Sequence, residues 1–118
     1  KTGDISMMIG IGCDIVEIAR IEAALRKDSF LNILTPKERM LFDALKGKRR
    51  IEFVAGRFAA KEAIYKAIHK EIKMELKDIE ILSDASGAPI CTILACHIEI
   101  SIAHENAYAI AYALASKD

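Results

Sequence analysis

The chain has 118 residues, 53% of them hydrophobic, which suits one folded domain with a real core. Seventeen basic and 17 acidic residues cancel, so the net charge does not indicate non-specific nucleic-acid binding. No window approaches the roughly 18 consecutive apolar residues of a membrane-spanning helix, so no membrane partner is expected. We expect one domain over residues 7–118 and interpret residues 1–6 as a disordered leader or a remnant of cloning. The three cysteines match no zinc or redox spacing, which favours buried thiols and a cytoplasmic setting.

The first predicted element is a buried strand over Met7–Cys13, an apolar run that contains two glycines. Glycine weakens a strand but permits the close approach of another backbone or of a ligand. Asp14 and Glu17 then resemble a capping box, with Asp14 as the N-cap residue. The pattern predicts a helix that reaches about Lys27, with Ile15 on its inward face.

A second helix start follows at Thr35, with Pro36 in the first helical position and Glu38 completing a capping box. Gly47 is typical of the residue that follows a helix, so we expect this helix to end near it. The longest helix should cover roughly residues 50–71.

The last third of the chain alternates as strands do. The pattern predicts strands near residues 79–82, 89–94, 98–103 and 108–115, with a turn over Asp84–Pro89. The final strand puts large side chains on one face and alanines on the other, and the alanine face should lie against a helix or another subunit. The expected fold is α+β: one domain with a helical N-terminal two-thirds and a mostly antiparallel sheet.

Residues 57–66 are the most informative stretch because they combine an alanine face with a cluster of charges. At about 100° per residue, the small and aliphatic side chains fall on one arc of the helix. The other arc presents Arg57, Lys61, Glu62 and Lys66. A rigid helix with this second face predicts a site for a polyanion and its metal ion.

Asp14 and Glu62 are the candidate metal ligands, although each has an ordinary structural alternative. Asp14 can simply cap a helix, which local sequence favours, and Glu62 can pair with Lys66 at i,i+4 spacing. Two carboxylates ringed by cations nevertheless suit Mg²⁺, which usually keeps waters and takes further oxygens from substrate phosphates.

Five ordered sequence blocks resemble those of the holo-acyl-carrier-protein synthases. The two long blocks are GIGCDIVEIARI at 10–21 and FVAGRFAAKEAIYKA at 53–67. The others are Leu34–Glu38, Ser86–Pro89, and Ser101–His104 followed by Tyr108–Ala111. The resemblance implies the 4′-phosphopantetheinyl transferase fold, a homotrimer with active sites at subunit interfaces, and Mg²⁺-dependent transfer of phosphopantetheine from coenzyme A to apo-acyl carrier protein in fatty acid biosynthesis.

The resemblance also implies roles for individual residues. Asp14 and Glu62 would hold Mg²⁺, and Lys66 would neutralise the leaving phosphate. Coenzyme A would be bound by Arg57, Lys61, His104, Gly87 and Pro89. The acidic carrier protein would contact Arg20 and Arg26, with Lys48, Arg49 and Arg50 as weaker candidates. Ala103 departs from the Ser or Thr usual in the family, which affects contacts near the nucleotide. A non-catalytic oligomeric module that binds a nucleotide or an acidic partner is the alternative.

Overall fold

The computed structural model describes residues 7–94 and 96–117, so the interpretation of residues 1–6 lies outside the described residues. The elements in chain order are strand β1 (Met8–Glu17), helices α1 (Ile18–Ala24), α2 (Pro36–Asp43) and α3 (Lys48–Ile68), and strands β2 (Leu82–Ser83), β3 (Pro89–Ile90), β4 (Cys96–His104) and β5 (Tyr108–Lys117). Short 3-10 helices lie at Asp28–Ile33 and Leu76–Asp78. Within the described ranges, no helix is long and apolar enough to cross a membrane.

The main sheet is antiparallel, with the strand order β1-β5-β4, and α3 packs across one of its faces. The central strand meets the helix through small side chains: the buried alanines of β5 are Ala109, Ala111, Ala113 and Ala115. The predicted alanine arc of α3 is buried, from Ala59 to Ile68. The predicted α+β fold is therefore confirmed, and the small-residue contact fixes α3 firmly on the sheet.

The two glycines of β1 mark a close contact between the strand backbone and α3. A Cβ atom added at Gly12 would lie 1.9 Å from the Ala63 carbonyl oxygen, and one at Gly10 would lie 2.2 Å from that of Ala67. Both distances are far below van der Waals contact, so glycine is needed at both positions. The expectation of a close backbone approach is confirmed.

The predicted capping box at Asp14 is wrong, because β1 continues to Glu17. Asp14 pairs with Ala111 of β5, and this cross-strand pairing overrides the local helix signal. Helix α1 begins only at Ile18, and the side chain of Glu17 makes no capping hydrogen bond. Ile15 is 59% exposed on the open face of the sheet instead of turning inward.

The second helix start is confirmed, whereas the predicted end of that helix is wrong. Thr35 and Glu38 form the reciprocal capping box at the start of α2. The helix ends at Asp43, and Gly47 has a φ of 59° as the residue that precedes α3. The Arg50 guanidinium donates to the carbonyls of Phe42 and Leu45, which satisfies backbone groups that the helix end leaves without an intrahelical partner.

The two predicted strands after α3 are shortened to the two-residue pair β2 and β3. The turn between them is confirmed, with a φ of 90° at Gly87. Strands β4 and β5 form as predicted. The sheet face opposite α3 leaves large apolar side chains open to solvent, among them Ile11, Ile15, Tyr108, Ile110 and Tyr112.

Candidate active site

The largest group of predicted site residues meets in one cavity of about 500 Å³ beside α3. We call it the carboxylate cavity, and its lining includes Asp14, Arg20, Phe58, Glu62 and Lys66. Strand β1 supplies Asp14, and α3 supplies Glu62 with Lys66 one turn further on. Two acids 48 positions apart in sequence thus face the same space, which only the β1–α3 contact could bring about.

The charges in the carboxylate cavity are only partly balanced. The Lys66 Nζ donates to Asp14 Oδ1 at 3.1 Å and to the Cys13 carbonyl at 3.0 Å. Partial burial raises the pKa of Glu62, the negative charge of Asp14 raises it further, and Lys66 opposes both effects. Lys66 therefore offsets only part of the burial and the repulsion that raise the pKa of Glu62.

This donor set fits a hard divalent cation that is shared with a phosphate ligand. Within the part of the chain that the structure describes, no group of three or more His, Cys, Asp or Glu side chains is placed to enclose a metal. Two carboxylates alone suit Mg²⁺, because this ion keeps several waters and completes its shell with substrate phosphates.

A second cavity of about 370 Å³, which we call the arginine cavity, collects most of the predicted coenzyme-binding residues. Its lining includes Arg49, Glu52, Phe53, Arg57, Gly87 and His104. The imidazole Nδ1 of His104 lies 4.0 Å from the Glu52 carboxylate. Two arginines from α3 and the imidazole of His104 at the end of β4 therefore meet the β2–β3 turn at one opening.

Arg57 is held rigidly at the edge of the arginine cavity. Its Nε donates to the Ile81 carbonyl at 3.1 Å, its Nη2 donates to Ser83 Oγ at 3.3 Å, and its guanidinium lies 4.4 Å from the centre of the Phe53 ring. Burial lowers the pKa of Arg57 from its ordinary value. A guanidinium has five N–H donors, so this arrangement leaves donors for an anion while fixing the plane of the group.

The predicted exposure of Lys61 is wrong. The side chain is 0% exposed, and its Nζ donates to Glu38 Oε1 at 2.8 Å and to the carbonyl of Ile79. The segment that includes Ile79 covers this face of α3, and the helical wheel could not show that cover. Lys61 therefore reaches neither cavity, and the assignment of a phosphate to it has no geometric support.

Glu38 is the buried partner that sequence reasoning missed. Its carboxylate is completely excluded from solvent, although the sequence suggested only a role in the capping box. One signal in the sequence could have found it: Lys61 has no carboxylate four positions away on α3, so its partner must come from another element.

Two further predicted residues lie apart from both cavities. Pro89 lines a separate cavity of about 540 Å³ with Cys91 and His97, so it does not share the opening of Gly87. Arg26 is exposed just after the end of α1, near Arg20 in sequence but outside the lining of the carboxylate cavity. Burial raises the pKa of the Cys91 thiol to about 12, consistent with a structural cysteine.

Comparison with known proteins identifies the family. Residues 10–113 match the model of the 4′-phosphopantetheinyl transferase superfamily. The chain belongs to this superfamily. A relative from Geobacillus sp. (strain WCH70), named holo-[acyl-carrier-protein] synthase, is 48% identical over 111 residues, which cover 89% of this chain and 93% of the relative. A relative of the same name from Halalkalibacterium halodurans is 44% identical over 110 residues, 89% and 92% of the two chains.

Solved structures of the superfamily share the fold. A holo-(acyl-carrier-protein) synthase from Bacillus anthracis, in complex with CoA (3′,5′-ADP), matches with a TM-score of 0.84 and 43% identity over 95% of this chain and 99% of that one. The Helicobacter pylori holo-[acyl-carrier-protein] synthase in complex with coenzyme A matches with a TM-score of 0.77 and 34% identity over 90% and 99% of the two chains. The sequence resemblance to the synthases is confirmed.

Proposed function

We propose that this transferase moves 4′-phosphopantetheine from coenzyme A to a serine of apo-acyl carrier protein in fatty acid biosynthesis. The products are holo-acyl carrier protein and adenosine 3′,5′-bisphosphate. The observation that carries the proposal is the meeting of Asp14, Glu62 and Lys66 in the carboxylate cavity of a chain whose similar relatives are named holo-[acyl-carrier-protein] synthase.

The reaction requires attack of a serine hydroxyl on the β-phosphorus of a pyrophosphate, with negative charge growing on the leaving phosphate. Catalysis of such a step consists largely of positioning and charge stabilisation. Asp14 and Glu62 would hold Mg²⁺, which when bound supplies charge neutralisation to the pyrophosphate oxygens. The surroundings of Glu62 support this role, since burial raises its pKa and the negative charge of Asp14 raises it further.

Lys66 is proposed to neutralise the leaving phosphate. Its side chain is 51% exposed, so the ammonium can move from Asp14 towards a ligand without breaking a buried contact. A lysine is suited to this task because its compact charge sits on a flexible stem.

The phosphates at the nucleotide end of coenzyme A are proposed to bind Arg57 and His104, with Gly87 beside the adenine. The arginine cavity is lined by Arg49 and Arg57, and His104 borders the same opening. This assignment no longer includes Lys61, which is buried. Pro89 stays a weaker candidate because it lines another cavity.

A homotrimer would join the two cavities into composite sites. The carboxylate and arginine cavities have different linings in the single chain, yet one coenzyme molecule must reach both. The open sheet face, with Ile11, Tyr108 and Tyr112 exposed, supports a subunit contact, because monomeric proteins rarely expose contiguous apolar patches of this kind. Dilution to monomers should therefore abolish transfer.

The carrier protein is proposed to dock beside the carboxylate cavity, on Arg20 with Arg26 next to it. Arg20 is exposed and lines the cavity. Rim charges of this kind raise the association rate and make it salt-sensitive. We place the reaction in the cytoplasm.

The deciding experiment is mass spectrometry of an apo-acyl carrier protein after incubation with this protein, coenzyme A and Mg²⁺. The carrier should gain the mass of one phosphopantetheine group, and the gain should vanish when its acceptor serine is replaced by alanine. Binding of coenzyme A without any mass gain on several carriers would instead support a non-catalytic module.

A further inference from the structure

The ion pair of Lys61 and Glu38 is completely excluded from solvent. Both side chains are 0% exposed, and the Lys61 Nζ lies 2.8 Å from Glu38 Oε1. Burial lowers the pKa of Lys61, and the hydrogen bond from its ammonium to Glu38 opposes that shift. A buried ion pair adds little stability over an apolar pair of the same volume, so its stability alone does not explain it.

Both members of the pair also bind the backbone of segment 79–83. The Lys61 ammonium donates to the Ile79 carbonyl, and Glu38 Oε2 accepts from the N–H of Ile81 at 2.7 Å. Ile79 and Ile81 are themselves fully buried. The segment thus has its backbone polar groups satisfied by helix side chains, which is why the strand predicted here is reduced to two residues.

Segment 79–83 leads directly into the turn that borders the arginine cavity. Its end is held by Arg57, whose Nη2 donates to Ser83 Oγ. The Asp84 carboxylate then accepts from two backbone N–H groups of the turn, at 2.8 Å and 3.0 Å. Gly87, at the tip of the same turn, lines the arginine cavity.

We propose that Lys61 and Glu38 are positioning residues for nucleotide binding. Their ion pair fixes segment 79–83 between α2 and α3 and thereby sets where the Gly87 turn lies relative to Arg57. Lys61 does not contact the ligand. The inference rests on the proposed function, since the ligand of the arginine cavity is taken to be the bisphosphorylated nucleoside end of coenzyme A.

A double-mutant cycle in ligand affinity tests the proposal. The dissociation constant of adenosine 3′,5′-bisphosphate is measured by calorimetry for the wild type, Lys61→Met, Glu38→Gln and the double variant. Each single variant should bind about three- to tenfold more weakly, and the double variant no more weakly than either, because all three break the same connection. The double variant has no unpaired buried charge, so it should fold even if one of the single variants does not.

Two other patterns would overturn the proposal. If Lys61 contacted the ligand, Lys61→Met would weaken binding while Glu38→Gln would leave it unchanged or tighten it. If the pair only stabilised the fold, all dissociation constants would match the wild type. Ile68→Val, at the buried end of α3, is the matched control: it should lower the unfolding midpoint and leave affinity unchanged.

Hydrogen exchange gives a second readout that needs no ligand. The amides of residues 81 and 84–88 should exchange at least about tenfold faster in the double variant than in Ile68→Val, because the segment has lost its contacts with Lys61 and Glu38 and keeps only those with Arg57 and Thr35. Equal protection in the two variants would contradict the positioning role. A wild type that neither binds the nucleotide nor transfers phosphopantetheine would refute the proposed function, and the exchange result would still decide whether the ion pair holds the turn.

Discussion

Lys61 and Lys66 lie five residues apart on α3, each pairs with a carboxylate from another element, and the two pairs differ sharply in exposure. The side chains of Lys66 and Asp14 are 51% and 20% exposed, whereas those of Lys61 and Glu38 are both 0% exposed. The first pair borders a cavity with a second carboxylate nearby, and the second pair is also hydrogen-bonded to backbone groups of Thr35, Ile79 and Ile81. Two lysines of one helix therefore have very different surroundings, and we expect them to serve different tasks.

The open pair is suited to chemistry because its ammonium can leave Asp14 for a ligand at low cost. The closed pair is suited to holding structure because neither partner can move without leaving a buried charge. The contrast between the two pairs can be tested by replacing the lysine of each pair, Lys61 or Lys66, with methionine.

The largest effect is expected from Glu62→Gln, which keeps the shape of the side chain and removes its charge from the open site. Phosphopantetheine transfer should fall at least about 10³-fold, since a divalent ion contributes several kcal/mol of charge stabilisation. The carrier-protein mass assay measures the rate, and circular dichroism verifies the fold. Activity within tenfold of the wild type would remove Glu62 from the metal site.

The next largest effect is the difference in stability between Lys61→Met and Lys66→Met. Lys61→Met leaves Glu38 charged and buried, which should lower the free energy of unfolding by about 3–5 kcal/mol. Lys66→Met breaks an exposed pair and should change it by less than about 1 kcal/mol. Urea unfolding of both variants tests the contrast, and equal losses would contradict it.

Lys66→Met should change transfer and metal affinity in opposite directions. Transfer should fall about 10²-fold through the loss of a charge that stabilises the leaving phosphate. Affinity for Mn²⁺ as a probe should rise about two- to fivefold, because no ammonium competes for Asp14. Calorimetry measures the affinity, with exposed Lys70→Met as the control that should leave both quantities unchanged. Weaker Mn²⁺ binding in Lys66→Met would show that Lys66 supports the site instead of competing for it.

The smallest effect concerns the pH dependence of stability. Folding raises the pKa of Glu62, so the folded state holds this proton more tightly than the unfolded state. The free energy of unfolding should therefore fall as the pH rises past the unfolded-state pKa, with the penalty complete above the folded-state pKa. Solvent screening keeps the penalty below about 1 kcal/mol.

Glu62→Gln removes this penalty, so the variant should be slightly more stable than the wild type at pH 7.5 and not at pH 4. Urea titrations at the two pH values measure this gap, which is the difference in the free energy of unfolding between Glu62→Gln and the wild type. Mg²⁺ should narrow the gap at pH 7.5 by stabilising only the wild type. A difference in stability that stays constant with pH would rule out the ionisation of Glu62, made costly by burial and by repulsion from Asp14, as its cause.

The sequence predicts correctly wherever local chemistry and tertiary structure agree. The Thr35 capping box and the alanine face of β5 follow from short patterns, whereas the metal-binding role of the acid pair stays a prediction from the family resemblance. Asp14 shows where such patterns fail, since its helix-capping signal is genuine but pairing with β5 overrides it. Lys61 fails for a related reason: the wheel gives the direction of a side chain, and only the packed segment 79–83 determines whether water reaches it.

The contact of Gly10 and Gly12 with α3 has a consequence for the metal ligands. Asp14 extends from a strand whose main chain touches the carbonyls of Ala63 and Ala67, and Glu62 precedes the first of these residues. The spacing between the two backbones that carry these carboxylates is therefore set by direct main-chain contact, with no side chain between β1 and α3 at this point. Gly12→Ala would therefore push β1 away from α3 and separate Asp14 from Glu62, although neither of these two residues is changed.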